Sequence, residues 1–228
     1  MNLNDILYVP LDLPKVPHEL SLENIVYTFV PTADQNQIQE LKSERKHHLY
    51  AWNSFIIRSP VNYSYESYSS QLDDIDWKYT DEAISTCPNL IEYIEKNLPY
   101  KKLNFIAAIS SRGEVPMHFD HTENISASEK EFYKTNDPCY YRILLDGTIN
   151  DNSFYVYTKR LGKKYCSLPK DSPGWAMGSY NCAHGNDESL SGQKLLLYVM
   201  GELDIKKHQD LLHRSLIKFK DFSIIKNY

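Results

Sequence analysis

Glycine is scarce, at 8 in 228 residues, and cysteine is scarcer, at 4. The four cysteines, Cys87, Cys139, Cys166 and Cys182, show no CxxC spacing. That excludes a zinc ribbon and a thioredoxin-like redox motif. Free, buried thiols in a reducing compartment are the expectation instead. No apolar run approaches the roughly 18 residues of a membrane span, so no membrane partner is expected. The first residues, MNLNDILYVPLDLPK, lack a basic stretch ahead of an apolar one. No signal peptide is read there, and the expected location is cytoplasmic. An excess of positive charge is missing too, since the formal net charge is -5. That argues against a nucleic-acid partner, whose affinity rests on neutralised phosphates. The oligomeric state is left open. No internal repeat and no domain boundary stand out. A single domain over 1–228 is expected: support over 1–87, a core over 88–202 and a C-terminal helix over 203–228.

What is present is a chain that can pack a core, with 42% apolar and 24% charged residues. Ile25–Val30 reads as a strand and Asp34–His48 as a polar helix or loop. Leu49–Pro60 is strand-like. Residues 61–80 are polar and tyrosine-rich and read as a loop. Pro88–Leu98 is the clearest helix: proline suits its first turn, and Leu90, Ile91, Ile94 and Leu98 form one stripe. From Lys102 on, the character changes. Lys102–Ser110 reads as a strand, SRGE as a turn and Val115–Asp120 as a second short strand. A polar insertion, 121–138, follows. CYYRILLDG, SFYVYTK, KKYCSL, GWAMGSYNCAHG and QKLLLYVMGEL then succeed one another, separated by turn residues. Short strands in this number predict an all-β sandwich or barrel. Leu212, Leu216 and Phe219 predict a terminal helix over Lys206–Lys220.

Among these strands, VPMHFDHT (Val115–Thr122) holds His118 and Asp120. On a strand, residues i and i+2 share a face, so the pair would project together and could chelate a metal. A second His-x-Asp, His208 and Asp210, falls on the terminal helix, where such residues diverge. His121 and Glu123 open the polar insertion and are weaker candidates. A third ligand must come from a distant strand, and His184 in SYNCAHGND fits. Two imidazoles and one carboxylate, with open positions left, suit non-haem Fe(II) oxygen chemistry. Lys194 follows ten positions after His184 and opens the apolar strand KLLLYVM. A cation there suits the far carboxylate of 2-oxoglutarate. Its bland alternative is a water-exposed strand end. Arg142, in YYRILLDG, is a second cation within an apolar strand, and its planar fork suits a carboxylate. Its bland alternative is an internal salt bridge.

From Cys87 to Glu202 the chain resembles the Fe(II)/2-oxoglutarate-dependent dioxygenases. Within them it is most similar to the aspartyl/asparaginyl β-hydroxylase family. The resemblance rests on LPYKKLNFIAAISSRGEVPMHFDH, on Arg142 before a short apolar run, on Gly174, Trp175, His184 and Asn186 in GWAMGSYNCAHGND, and on Lys194. It departs from that family in carrying a metal-binding carboxylate, in Lys rather than Arg at the anchor, in Leu144 where a histidine is common, and in the long insertion.

The resemblance implies a mainly β fold, a double-stranded β-helix (jelly-roll, cupin-like) core with flanking helices. It implies Fe(II) held by His118, Asp120 and His184. Arg142 and Lys194 would hold the two ends of the cosubstrate 2-oxoglutarate, Lys194 at the C5 carboxylate. Oxygen would be the oxidant, and a small-molecule or peptide substrate (an Asp, Asn or Pro-type side chain) would be hydroxylated, with succinate and CO2 as coproducts. Asn186, Tyr155 and Tyr157 are candidates to orient the imidazoles. Loops 61–80 and 121–138 are candidates to border the pocket. The competing readings are the same chemistry on a nucleobase or other metabolite, and a non-catalytic cupin-like metal binder.

Overall fold

A computed structural model describes residues 3–23, 51–60, 76–112, 115–119, 140–147, 153–178, 182–187 and 194–226. All strand pairs in it are antiparallel, and they form two sheets. The elements in chain order are β1 (Ile6–Pro10), β2 (Ala51–Pro60), β3 (Trp77–Tyr79), α1 (Asp81–Thr86), α2 (Pro88–Asn97), β4 (Tyr100–Arg112) and β5 (Val115–His118). They continue with β6 (Tyr140–Gly147), β7 (Phe154–Thr158), β8 (Gly162–Tyr165), β9 (Gly174–Met177), β10 (Ala183–Asn186), β11 (Lys194–Leu203), α3 (Ile205–Lys218) and β12 (Ile224–Ile225). The large sheet runs β12-β1-β9-β6-β11-β4-β2-β3, and the small one β5-β10-β7-β8.

The eight strands β4 to β11 carry the architecture. Numbered one to eight, they stand as 6-3-8-1 in the large sheet and 2-7-4-5 in the small one. The chain thus passes back and forth between the sheets as a double-stranded β-helix, the jelly-roll form expected. The strands β1 and β12 extend one edge of the large sheet, and β2 and β3 the other.

Both faces of the large sheet are covered, which explains its apolar strands. On β11, Leu195, Leu197 and Val199 join α2 and α3 in one core cluster, with Leu90, Ile94, Leu212 and Leu216. Leu196, on the other face, joins Phe154 and Val156 of β7 and Trp175 and Met177 of β9 between the sheets. On β6, Tyr141, Ile143 and Leu145 face the helices. Period-two alternation then turns Arg142 on β6, and Lys194 and Tyr198 on β11, toward the small sheet.

The helices are set by their ends. Pro88 occupies the first turn of α2, and the Glu19 carboxylate accepts from the Leu90 amide at 2.7 Å. Thr80 caps α1 and Asp204 caps α3 through their side chains.

Several boundaries differ from the sequence reading. The buried strand β1 was not anticipated. Trp77–Tyr79 is a strand inside what was expected to be loop, paired to β2. α1 was not anticipated. GWAMGSYNCAHG contributes two strands, one to each sheet. The strand expected to reach Asp120 ends at His118. Ile25–Val30, Asp34–His48, residues 61–75 and the insertion 121–138 lie outside the described residues. Among the described residues, no helix is long and apolar enough to cross a membrane.

Candidate active site

Register brings the two histidines together. His118 on β5 and His184 on β10 are direct cross-strand partners, and their ring centroids lie 4.4 Å apart. His184 is buried and His118 half-buried. The His184 Nδ1 lies 3.3 Å from the Cys182 carbonyl. A carbonyl only accepts, so that bond requires a proton on Nδ1. It leaves Nε2 as the lone-pair nitrogen, the arrangement a metal ligand needs.

Both imidazoles line a cavity of about 110 Å3 between the sheets, together with Arg142, Lys194 and Asn186. Four of the five residues singled out in the sequence therefore meet in one place. The fifth, Asp120, lies outside the described residues, as do His121 and Glu123. Among the described residues no group of three or more His, Cys, Asp or Glu gathers as a metal site. The ligand set that can be described is the imidazole pair.

Lys194 is not a solvated strand end, being 5% exposed. Its Nζ donates to Asn186 Oδ1 at 3.0 Å, across to the small sheet. Burial pushes its ammonium down from 10.5 to about 8. Arg142 is buried as well. Its guanidinium lies 3.8 Å from the centroid of the Tyr198 ring, a cation–π contact. Its Nη1 donates to the Tyr141 carbonyl at 3.1 Å.

The rest of the wall is apolar: Val115, Phe154, Met177, Leu196 and the ring of Trp175. Trp175 sits directly across from Arg142 on β9, and Tyr198 directly across from it on β11. Neither was singled out as a site residue, although Tyr198 stands four positions from Lys194 and so shares its face. That parity was available in the sequence.

The opposite parity corrects two expectations. Tyr155 and Tyr157 alternate with the inward Phe154 and Val156 and stand on the far face of the small sheet. Tyr155 packs there edge-on to Tyr165, with the Lys163 ammonium 4.1 Å above its ring. Neither can orient an imidazole inside the cavity. Asn186 does face in, and its partner is Lys194. The duplicate motif resolves as structure. His208 is fully buried, its Nδ1 2.6 Å from the Tyr141 hydroxyl, while Asp210 is exposed.

No family model matches the sequence, and no curated protein matches it. Among solved structures the chain is similar to an oxidoreductase of the 2OG-Fe(II) oxygenase family from Burkholderia pseudomallei. The two are 8% identical, with 75% of this chain and 82% of that chain covered and a TM-score of 0.38. That likeness is too slight to assign a family.

Proposed function

We infer that this protein is an Fe(II)- and 2-oxoglutarate-dependent oxygenase that hydroxylates an amino-acid, peptidyl or similar small substrate. The observation that carries the reading is the His118–His184 register pair in the cavity that also holds Lys194. The donor chemistry fits iron. Two imidazoles side by side, with a carboxylate two residues after the first, make up the two-histidine, one-carboxylate set and leave positions open. His118, Asp120 and His184 would hold the metal. Bound there, Fe(II) with 2-oxoglutarate and O2 supplies the oxidising power, so that substrate C–H becomes C–OH while 2-oxoglutarate yields succinate and CO2.

The chain's own residues do the rest. The Lys194 ammonium meets the far carboxylate of 2-oxoglutarate, and the Asn186 carbonyl, 3.0 Å away, fixes where that ammonium points. The Cys182 carbonyl fixes the His184 ring and its tautomer. Phe154, Met177, Leu196 and the Trp175 ring keep water from the reacting carbon. The three described cysteines are buried free thiols, which fits a reducing compartment.

Succinate release from 2-oxoglutarate, with Fe(II), O2 and a panel of amino acids and peptides, tests the reading. Turnover should be abolished in His118→Ala, Asp120→Ala and His184→Ala. Full activity in any of the three removes that residue from the ligand set. Failure of the wild type to bind Fe(II) or 2-oxoglutarate defeats the oxygenase reading and favours a non-catalytic binder.

A further inference from the structure

Charge is unevenly spread along the chain. Residues 152–170 hold five cations and no acid, in a chain whose net charge is -5, so the remainder stands at -10. Four of the five cations sit on the β7–β8 hairpin. A three-residue turn, Lys159–Leu161, is closed by Gly162 at φ +66°. Lys159, Arg160, Lys163 and Lys164 are all exposed there. Among the described residues, β8 and this turn contribute nothing to the cavity lining.

The backbone of β8 is the second observation. Among the described residues β8 is the last strand of the small sheet. The Cys166 amide donates to the Phe154 carbonyl at 2.8 Å, one step beyond the Tyr155–Tyr165 pair of the ladder. Hydrogen-bonded and open pairs alternate in an antiparallel ladder. Lys164 therefore turns its N–H and C=O toward β7, and Lys163 and Tyr165 turn theirs to the outer edge. The side chains of β8 alternate too. The Lys163 ammonium lies 4.1 Å over the Tyr155 ring on the outer face. Lys164 stands across from the inward Val156. A strand laid along this edge would meet two donors, two acceptors and an ammonium on each face.

We propose that β8 takes an acidic, extended peptide segment of a partner protein as an added strand. Two successive acids on such a strand point to opposite faces and reach Lys163 and Lys164 together. Tyr165, 42% exposed, offers a ring beside them. In the free protein Asp187 holds the place of one acid. Its carboxylate accepts from Lys163 Nζ at 2.9 and 3.0 Å and from the Tyr165 hydroxyl at 2.6 Å. An incoming carboxylate competes with it. A short acidic strand meets only the hairpin, whereas a long nucleic acid also meets the acidic remainder of the chain. A second copy would set lysine against lysine. The surface depends on neither iron nor the cavity, so it stands or falls apart from the oxygenase reading.

Fluorescence anisotropy at low salt, with the labelled, C-terminally amidated peptide TVEEVT and the intact protein, tests this. TVQQVT, and TVEEVT methylated at alternate backbone nitrogens, should each bind about tenfold more weakly. Lys163→Gln combined with Lys164→Gln should cost about three- to tenfold. Asp187→Asn releases Lys163 and should tighten binding about two- to fivefold, a gain that a misfolded variant cannot give. In hydrogen exchange, bound TVEEVT should slow the Lys163 and Tyr165 amides and leave Lys164 as it was. Equal affinity for TVEEVT and TVQQVT overturns the proposal, as do lysine and aspartate variants that change nothing. Tighter binding of a ten-nucleotide oligothymidylate, lost with the two lysines, assigns the hairpin to nucleic acid and overturns it as well. If TVEEVT does not bind, the lysines serve only to keep other strands off the edge, and the proposal fails.

Discussion

Lys194 is a cation held where water scarcely reaches, and its titration follows from that. Burial lowers its pKa from 10.5 to about 8 in the folded protein. Below about pH 8 both folded and unfolded chains carry the proton, and the folded chain bears the full desolvation penalty. As pH rises from 8 toward 10.5 the folded chain sheds the proton first, the unfolded state binds more protons, and stability rises. The interval corresponds to about 3 kcal/mol. Lys194→Met should therefore raise the thermal midpoint at pH 7 while removing 2-oxoglutarate binding. If Lys194 is the anchor proposed for 2-oxoglutarate, the affinity of that dianion should fall about tenfold per pH unit above about 8. Calorimetry in buffers across pH 7 to 10 reads this directly. An affinity flat across that range would show that Lys194 is not the anchor.

At the scale of elements, β10 is the strand on which the site depends, and Gly185 is its tightest point. A Cβ at Gly185 would lie 2.5 Å from the Tyr155 hydroxyl and 2.7 Å from the Val115 carbonyl. Gly185→Ala should force β10 away from both neighbours, at about 1–3 kcal/mol in chemical denaturation. It should also weaken Mn(II) binding, because His184 and Asn186 flank it; unchanged metal affinity would mean that the imidazole spacing tolerates the shift. The sequence announces these elements unevenly. β6 and β11 are legible because both faces are buried and the apolar residues run on. β10, AHGN, carries no apolar pattern, and only its partners define it. β1 is hidden by the prolines around it, although Pro10 stands at its end. α1 spans six residues, too few for a helical stripe. Spacing suggested His118, His184 and Lys194, but adjacency of the two histidines is a matter of register between strands far apart in sequence. Tyr155 and Tyr157 were misplaced because which face of β7 turns inward is set by the sheet packed against it.

For the whole molecule, early and late elements of the described residues are joined at one edge of the large sheet. β12 pairs with β1, the Ser215 hydroxyl accepts from the Asp12 amide at 2.9 Å, and Lys218 bridges to Asp12 at 2.8 Å. Beneath them, His208 of α3 meets Tyr141 of β6. Burial lowers the His208 pKa from 6.5 to about 4. The folded state thus holds a neutral ring that the unfolded chain protonates first. Its stability is whole above about pH 6.5 and declines as pH falls toward 4, by about 3 kcal/mol. His208→Gln should flatten that acid limb in pH-dependent thermal melts, and a limb of unchanged slope would assign the acid loss to other groups.

Among the described residues β5 stands at the edge of the small sheet, with β10 as its neighbour. His184 is therefore held by ladders on both sides and His118 by one. In hydrogen exchange the amides of β5 should trade with solvent sooner than those of β10. Filling the site should slow β5 most, since a ligand spanning the two rings would serve as the second seam that an edge strand lacks. On the proposed reading, one half of the site is finished by folding alone, and a bound ligand would complete the other half.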